Sequence, residues 1–476
     1  MVFSSLFFIA VFLVLCAGAL FLARGNVKKQ NIILLGFSLV FYAWGGPLFL
    51  LLLGGMTLIS YVGALLIDST EDKFYRKLEL FMTVALMLLL LGFFKYAGWT
   101  AQNIITLFGL DQTPPKILLP IGISFYTFQL LSYVADVYRG QVEAQKKFWM
   151  LLLYAALFHQ CIAGPIVRYS DVEAQLKDRT ITKEDLSVGI SRFATGLAKK
   201  ALLANLCGEI ASSLLSKTSL ESAAAGSVFL GGLFYMFQIY LDFSAYSDMA
   251  IGMGRACGLR YVENFNYPYI ASSVTDFWRR WHISLSTFFR DYVYIPLGGN
   301  RKGKGRQIFN LFVVWALTGL WHGAAWNYLF WGLYYFAFLV LEKFVIKPER
   351  FQNTALKILY RVGVFFVIFF GWILFYFEDL SLLGLAMKDL FFANGIWDYS
   401  TTLVFKNNLF FLPVAALACL PVIPACKKLW QKLSQKIPAL VPVGAALDMV
   451  TPLVLLILSV IFLVGNTYNP FLYFQF

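Results

Sequence analysis

The sequence predicts an all-α, polytopic membrane protein, on three observations. Of its 476 residues, 59% are hydrophobic and only 14% are charged, where soluble domains carry roughly 25% charged residues. Apolar runs near the length of about 20 residues that spans a bilayer recur from end to end, as over Val2–Ala23, around Leu80–Phe94 and around Pro452–Val464. No soluble domain of useful size fits between them. We therefore read one membrane domain over residues 1–476, with scaffold helices over 1–110, a functional core over 111–345 and further helices over 346–476.

The first run has no basic residue before it, whereas Arg24, Lys28 and Lys29 follow it. That is the reverse of a cleavable signal peptide. Basic loops stay cytoplasmic, so the first helix is predicted to run inwards and leave Met1 outside. The loops "STEDKFYRK" (69–77) and "RGQVEAQKK" (139–147) are basic and read as inside, while "WTAQNIITLFGLDQTPP" (99–115) lacks Lys and Arg and reads as outside. The amphipathic stretch "KKLWQKLSQK" (427–436) reads as inside, so the last helix leaves Phe476 outside. Two external termini require an even number of crossings. The net charge of +13 lies in such short loops, where orientation and anionic lipid headgroups account for it without nucleic acid. The cysteines at 16, 161, 207, 257, 419 and 426 show no CxxC and no Cys/His metal spacing. They read as packing residues, and no metal site is predicted.

Hydropathy alternates cleanly up to about Tyr96 and then becomes irregular between residues 117 and 330. Segments such as "LFHQCIAGPIVRYSD" (157–171) and "YLDFSAYSDMAIGMG" (240–254) mix apolar residues with Gly, Pro and charge. They suit broken or re-entrant helices, which membrane depth tolerates only inside protein or along a wet cavity. The absence of an internal repeat argues against a secondary transporter built from paired halves.

The most charged core segment is "SSVTDFWRRWHISLSTFFRDYVYIPLGGNRKGKGR" (272–306). Ser273 followed by Asp276 predicts a capped helix start. On that helix Asp276 reaches Arg279 and Arg280, while Trp278, His282, Leu285 and Phe289 share another face. Two readings stay open: an interfacial amphipathic helix, or a floor for an anionic donor's phosphates with Arg279, Arg280 and Arg290 as contacts. "GGNRKGKG" (298–305) has Gly298, Gly303 and Lys304 of a phosphate-binding loop, but Gly305 stands where a magnesium-holding Ser or Thr belongs, which excludes ATP hydrolysis. The five-residue His-to-Asp spacing of lipid acyltransferases fails at Gly164, Thr287 and Asn327, and no GxSxG elbow exists. Asp242 and Asp248 lie within an apolar run, where a carboxylate costs about 2.5–3.5 kcal/mol and needs a partner. A structural network of Asp242, Asp248 and Asp276 with Arg279 or Arg280 is the first reading there.

Only three histidines occur, His159, His282 and His322. His322 sits in "TGLWHGAAWNYLFWG" (318–332), where it can be a structural hydrogen-bond donor or a general base in a dry pocket. Trp321 and Trp326 flank it, and Gly323 permits close backbone approach to the ring.

The segments "DFSAYSDMAIG", "FWRRWHISLSTFFRDYVYIPLGGNR", "TGLWHG" and "YNPFLYFQF" together resemble the membrane-bound O-acyltransferase (MBOAT) superfamily, in its bacterial polysaccharide O-acetylation branch. The resemblance implies a ring of about ten to twelve helices, some re-entrant, around a funnel. It implies that His322 is the histidine on which catalysis depends and His282 the second, with Trp278, Trp321 and Asn327 beside the donor. It further implies a multi-pass protein of the bacterial cytoplasmic membrane and acyl transfer, most simply of acetyl from cytoplasmic acetyl-CoA, with no bound cofactor. The acceptor would be an extracytoplasmic polysaccharide, reached through an SGNH-hydrolase-like partner. D-alanyl transfer to teichoic acid is the alternative within the family, and a polytopic transporter or channel the alternative outside it.

Overall fold

A computed structural model describes residues 2–466 and 468–470, and every regular element among them is helical. Six helices are long and apolar enough to cross a membrane: Phe49–Ser69, Lys73–Phe108, Ala225–Ala256, Trp326–Arg350, Thr354–Tyr376 and Leu440–Gly465. A seventh follows if Tyr399–Asn407 and Phe411–Ala418, bent by 66° at their junction, form one span. The rest of the expected ten to twelve are shorter or more polar helices such as Val27–Ala43, Ile123–Tyr138, Lys183–Ala198 and Gly303–His322. The chain is a multi-pass membrane protein. Met1 and Phe476, which the loop charges are read to leave outside, and the end of "YNPFLYFQF" lie outside the described residues.

The scaffold follows from simple rules. Asn26 caps Val27–Ala43 by accepting from the Lys29 amide, and Asp72 caps Lys73–Phe108 by accepting from the amides of Phe74 and Tyr75. Lys73–Phe108 then runs 36 residues, about 54 Å at 1.5 Å per residue. It ends at Gly109 in the left-handed region (φ 59°), a conformation glycine adopts at no steric cost. Most of 99–115, read above as loop, is therefore helix: Trp99 to Phe108 holds neither Pro nor Gly, and polarity alone does not break a helix.

At the centre lies Ala225–Ala256, most of whose residues are buried inside the protein. It corrects the expectation that 240–254 is broken: the segment is one continuous helix, because Asp242 and Asp248 find cations without interrupting the backbone. Lys183–Ala198 crosses it at glycines. A Cβ on Gly189 would meet the Gly252 carbonyl at 2.7 Å, and one on Gly196 the Ala245 carbonyl at 2.6 Å, so small residues set how closely these backbones approach. By contrast 157–168 is irregular at this depth and buried but for a partly exposed Arg168, as irregular backbone there requires.

Segment 272–306 is a chain of short pieces and not one long helix. Val274–Arg280 starts as predicted, with the Ser273 side chain accepting from the Asp276 amide at 2.9 Å. Its remaining orphan amides go to a residue far along the chain: buried Glu342 accepts from Val274 N at 2.6 Å and Thr275 N at 2.8 Å. A carboxylate is favoured at that positive helix end. The helix stops at Arg280, and His282 adopts φ 45° between it and Ile283–Phe289. The expected face shared by Trp278, His282, Leu285 and Phe289 is thus replaced by a turn that aims His282 inwards.

Candidate active site

His322 is the last residue of helix Gly303–His322 and is 3% exposed. Three rings enclose it edge to face: Trp321 at 4.9 Å, Trp331 at 4.9 Å and Phe375 at 5.1 Å between centroids. The helix end is held from the scaffold. The Tyr96 hydroxyl donates to the Leu320 carbonyl, and the Lys95 ammonium donates to the Trp321 carbonyl. Lys95 also donates to Ser124 Oγ at 3.4 Å and lies 5.8 Å from the Trp321 ring centre. Two consecutive scaffold residues thus cap the carbonyls that a helix terminus leaves without intrahelical donors, and a cation suits that negative end.

On the far side of the helix, Gly319 and Gly332 let Trp326–Leu341 lie close. A Cβ on Gly319 would meet the Tyr328 carbonyl at 2.4 Å, and one on Gly332 the Trp315 carbonyl at 2.3 Å. Buried Asn327 donates to the Phe375 carbonyl at 3.0 Å, which ties the turn after His322 to helix Thr354–Tyr376.

His282, 1% exposed, also packs on Trp321, with ring centroids 5.7 Å apart. Its Nδ1 is 3.1 Å from Asn264 Oδ1, the atom that also accepts from Ser284 N at 3.3 Å and Ser284 Oγ at 2.9 Å. Because a backbone amide can only donate, that Asn264 atom is the oxygen. His282 Nδ1 therefore carries the proton and Nε2 is its basic nitrogen. Trp278 packs at 4.7 Å from Trp315 and 5.4 Å from Trp331. The indole nitrogens of Trp278, Trp321 and Trp331 are buried with no hydrogen-bond partner among the described residues.

The structure thus brings His322, His282, Trp321 and Trp278 into one aromatic enclosure and places the charged candidates elsewhere. Arg279 and Arg290 are exposed, Arg280 bonds Asp276 at 2.9 Å, and Arg290 bonds its neighbour Asp291 at 2.7 Å. Asp242 and Asp248 do not pair with Arg279 or Arg280, which corrects that expectation. Asp242 pairs with Lys200 at 2.8 Å, and Asp248 with Arg192 at 3.0 Å and Lys199 at 2.6 Å. Arg192 comes from Lys183–Ala198, the helix packed against Ala225–Ala256 through its glycines, and Lys199 and Lys200 from its π-helical continuation Lys199–Ala204, a neighbour invisible in local sequence. His159 packs on Phe158 and Tyr261 and bonds the Tyr261 hydroxyl at 2.6 Å.

A cavity of about 1240 Å³ adjoins the site. Trp321, Tyr96 and Trp99 line one end, and Arg139, Arg168 and Tyr292 the other. The two guanidiniums lie 4.9 and 5.0 Å from the Tyr292 ring, and Arg168 pairs with Asp291 at 2.7 Å. Sequence reading missed Lys95, Asn264 and these arginines. Only Lys95 gave a signal, as a lone charge inside a spanning run.

Residues 147–387 match the membrane-bound O-acyltransferase family. The chain is 37% identical to the probable alginate O-acetylase of Pseudomonas putida over the full length of both. It is 34% identical to the peptidoglycan O-acetyltransferase of Helicobacter pylori over 75% of this chain and 73% of that protein. To the teichoic acid D-alanyltransferase of Bacillus subtilis it is 29% identical over 55% of this chain and 70% of that protein. The matched region contains His282, His322 and the enclosure around them, and with full-length identity above a third to a probable O-acetylase the chain belongs to the membrane-bound O-acyltransferase family and is a membrane O-acyltransferase.

Proposed function

We propose that this protein passes an acetyl group from cytoplasmic acetyl-CoA across the membrane for O-acetylation of an extracytoplasmic polysaccharide, with His322 as the reacting group. The observation that carries the reading is the packing of two buried histidines on Trp321 in an aromatic enclosure at a helix end. A neutral imidazole there can take the proton of an attacking hydroxyl, or attack the thioester carbonyl itself. In either case the C–S bond breaks, a C–O or C–N bond forms, and the thiolate leaves with a proton. The indole N–H groups of Trp321 and Trp331 lie beside the ring, where an acyl oxygen gaining charge can accept from them.

The donor's phosphates sit at the Arg139, Arg168 and Tyr292 end of the large cavity, and its thioester arm points towards Trp321. Arg279, Arg280 and Arg290 then serve the interface around that mouth. The chain lies in a bacterial cytoplasmic membrane with both termini outside, and an SGNH-hydrolase-like partner passes the acetyl group to the polymer. The O-acetylases among its relatives match three quarters or more of its length, against 55% for the D-alanyltransferase, which supports acetyl as the group moved.

His322→Ala and His322→Gln test the reading. Both should accumulate in membranes near the parent level, while acetyl transfer per chain falls by about 100-fold or more, the range typical of lost acid–base catalysis. Gln keeps hydrogen bonding but takes no proton near neutral pH. Normal polymer acetylation by a well-expressed His322→Gln protein would leave His322 as a structural donor. A His322 variant that still moves substrate across the membrane would favour a transporter.

A further inference from the structure

A second cavity of about 900 Å³ lies between the first helix, Lys183–Ala198 and the end of Ala225–Ala256. It shares no lining residue with the cavity beside Trp321. Its walls are apolar, formed by residues such as Leu13, Leu20, Phe193 and Met253, and Phe21 and Ile190 at its edge are 63% and 53% exposed. Phe21 belongs to the short apolar helix Phe8–Leu22, and at that edge the cavity faces the apolar surroundings of the first helix.

One end is polar, and there the charge does not balance. Arg179 lines it with its guanidinium fixed by neutral acceptors: Nε donates to the Cys257 carbonyl at 2.9 Å, and Nη1 to Asn31 Oδ1 at 2.7 Å and the Gln175 carbonyl at 3.1 Å. Its Nη2 is buried and has no hydrogen-bond partner among the described residues. Arg24 lines the same end, over the Phe21 ring at 4.8 Å. Neither arginine forms an ion pair among the described residues, and Asp178, which also lines the cavity, pairs with neither. Buried Gln30 adds an amide to the polar end. A partly buried guanidinium held without a counter-anion is costly, and an oxyanion of a group whose remainder is apolar would answer both the charge and the cavity.

We propose that this cavity binds one anionic phospholipid, with its phosphate between Arg24 and Arg179 and an acyl chain along Leu13, Leu20 and Phe193. Basic pockets between membrane helices bind anionic headgroups for this reason, and the cavity takes the headgroup and one acyl chain, the second chain lying outside its exposed edge. The lipid fastens the first helix to Lys183–Ala198, away from the acyl-transfer chemistry. The proposal does not depend on the function of His322.

The test is native mass spectrometry of the delipidated full chain, titrated with phosphatidylglycerol or with phosphatidylcholine of the same acyl chains. One phosphatidylglycerol per chain should be retained in preference to phosphatidylcholine. Arg24→Gln and Arg179→Gln should each weaken that binding about fivefold, the contribution of one basic residue at an anionic headgroup. Arg24 is exposed, so its variant carries the test even where Arg179→Gln lowers accumulation. Gly18 has open space where a Cβ would stand, so Gly18→Phe should fill the cavity and abolish retention. Equal retention of the two lipids, retention unchanged by Arg24→Gln, or the same stabilisation by inorganic phosphate alone would overturn the proposal.

Discussion

The ammonium of Lys95 donates to the main-chain carbonyl of Trp321, one residue before His322 and 226 positions along the chain. With the adjacent Tyr96 hydroxyl on the Leu320 carbonyl, the scaffold grips the end of the helix that presents His322. A buried charge in a spanning helix commonly settles on such backbone carbonyls. Lys95→Met should remove a charged hydrogen bond contributing about 1.5–3 kcal/mol and let the helix end drift. Because small misplacements near the chemistry can cost about 100-fold, acetyl transfer per chain should fall by about tenfold or more in kcat, with little change in the KM for donor. Lys95→Arg, which keeps a cation that can donate, should recover part of it. Equal kcat for Lys95→Met and the parent would show that the grip is dispensable.

Lys200 and Asp242 form an ion pair at 2.8 Å, and they are only 3% and 1% exposed. Breaking a buried pair from one side costs about 3–5 kcal/mol, because it strands the other charge. Lys200→Met or Asp242→Asn alone should therefore lower the melting temperature and the amount of protein in membranes. The double variant should be less destabilised than the sum of the two. Additive losses would show that the two groups act independently.

Gly332 stands where a Cβ would meet the Trp315 carbonyl at 2.3 Å. Gly332→Ala must push Trp326–Leu341 away from Gly303–His322, since backbone cannot yield as a flexible side chain does. We expect reduced accumulation and loss of most transfer activity. Gly384→Ala, which meets nothing within 4 Å, should behave as the parent in the same assays.

Orientation is tested by labelling single cysteines from outside intact cells, in a Cys426→Ser background because Cys426 is the exposed one of the six cysteines. A cysteine replacing Thr113 should react with an impermeant reagent, and one replacing Lys73 only after the membrane is opened. The opposite pattern would reverse the topology proposed above.

Fold class and membrane residence were legible in the sequence, which also singled out His322 and His282, the two histidines that pack on Trp321. Apolar run length and the shortage of charge are properties of composition, and the motif around His322 is local. The start of Val274–Arg280 was legible for the same reason, since Ser273 caps Asp276 three residues away. What misled local reading was geometry that depends on a distant partner. Asp242 and Asp248 suggested a broken helix because a carboxylate in lipid is unfavourable, yet Lys200, Lys199 and Arg192 meet them from the neighbouring helix and the helix runs through. His282 was assigned to a helix face because periodicity assumes an unbroken helix, whereas the chain turns at φ 45° there and Asn264 fixes the ring.

The sequence by itself thus determined that the chain lives in a membrane, is helical, and carries few histidines, one of them in an apolar, Trp-flanked segment. Only the tertiary structure decided which cation neutralises each buried carboxylate, which scaffold residues hold the end of the His322 helix, and that His282 and His322 share Trp321. The physical reason is distance along the chain. Helix propensity and span length are set within a few turns, but charge pairing, terminal capping and ring enclosure are satisfied by whichever groups the packed helices bring together, as Lys95 and Trp321 are across 226 positions.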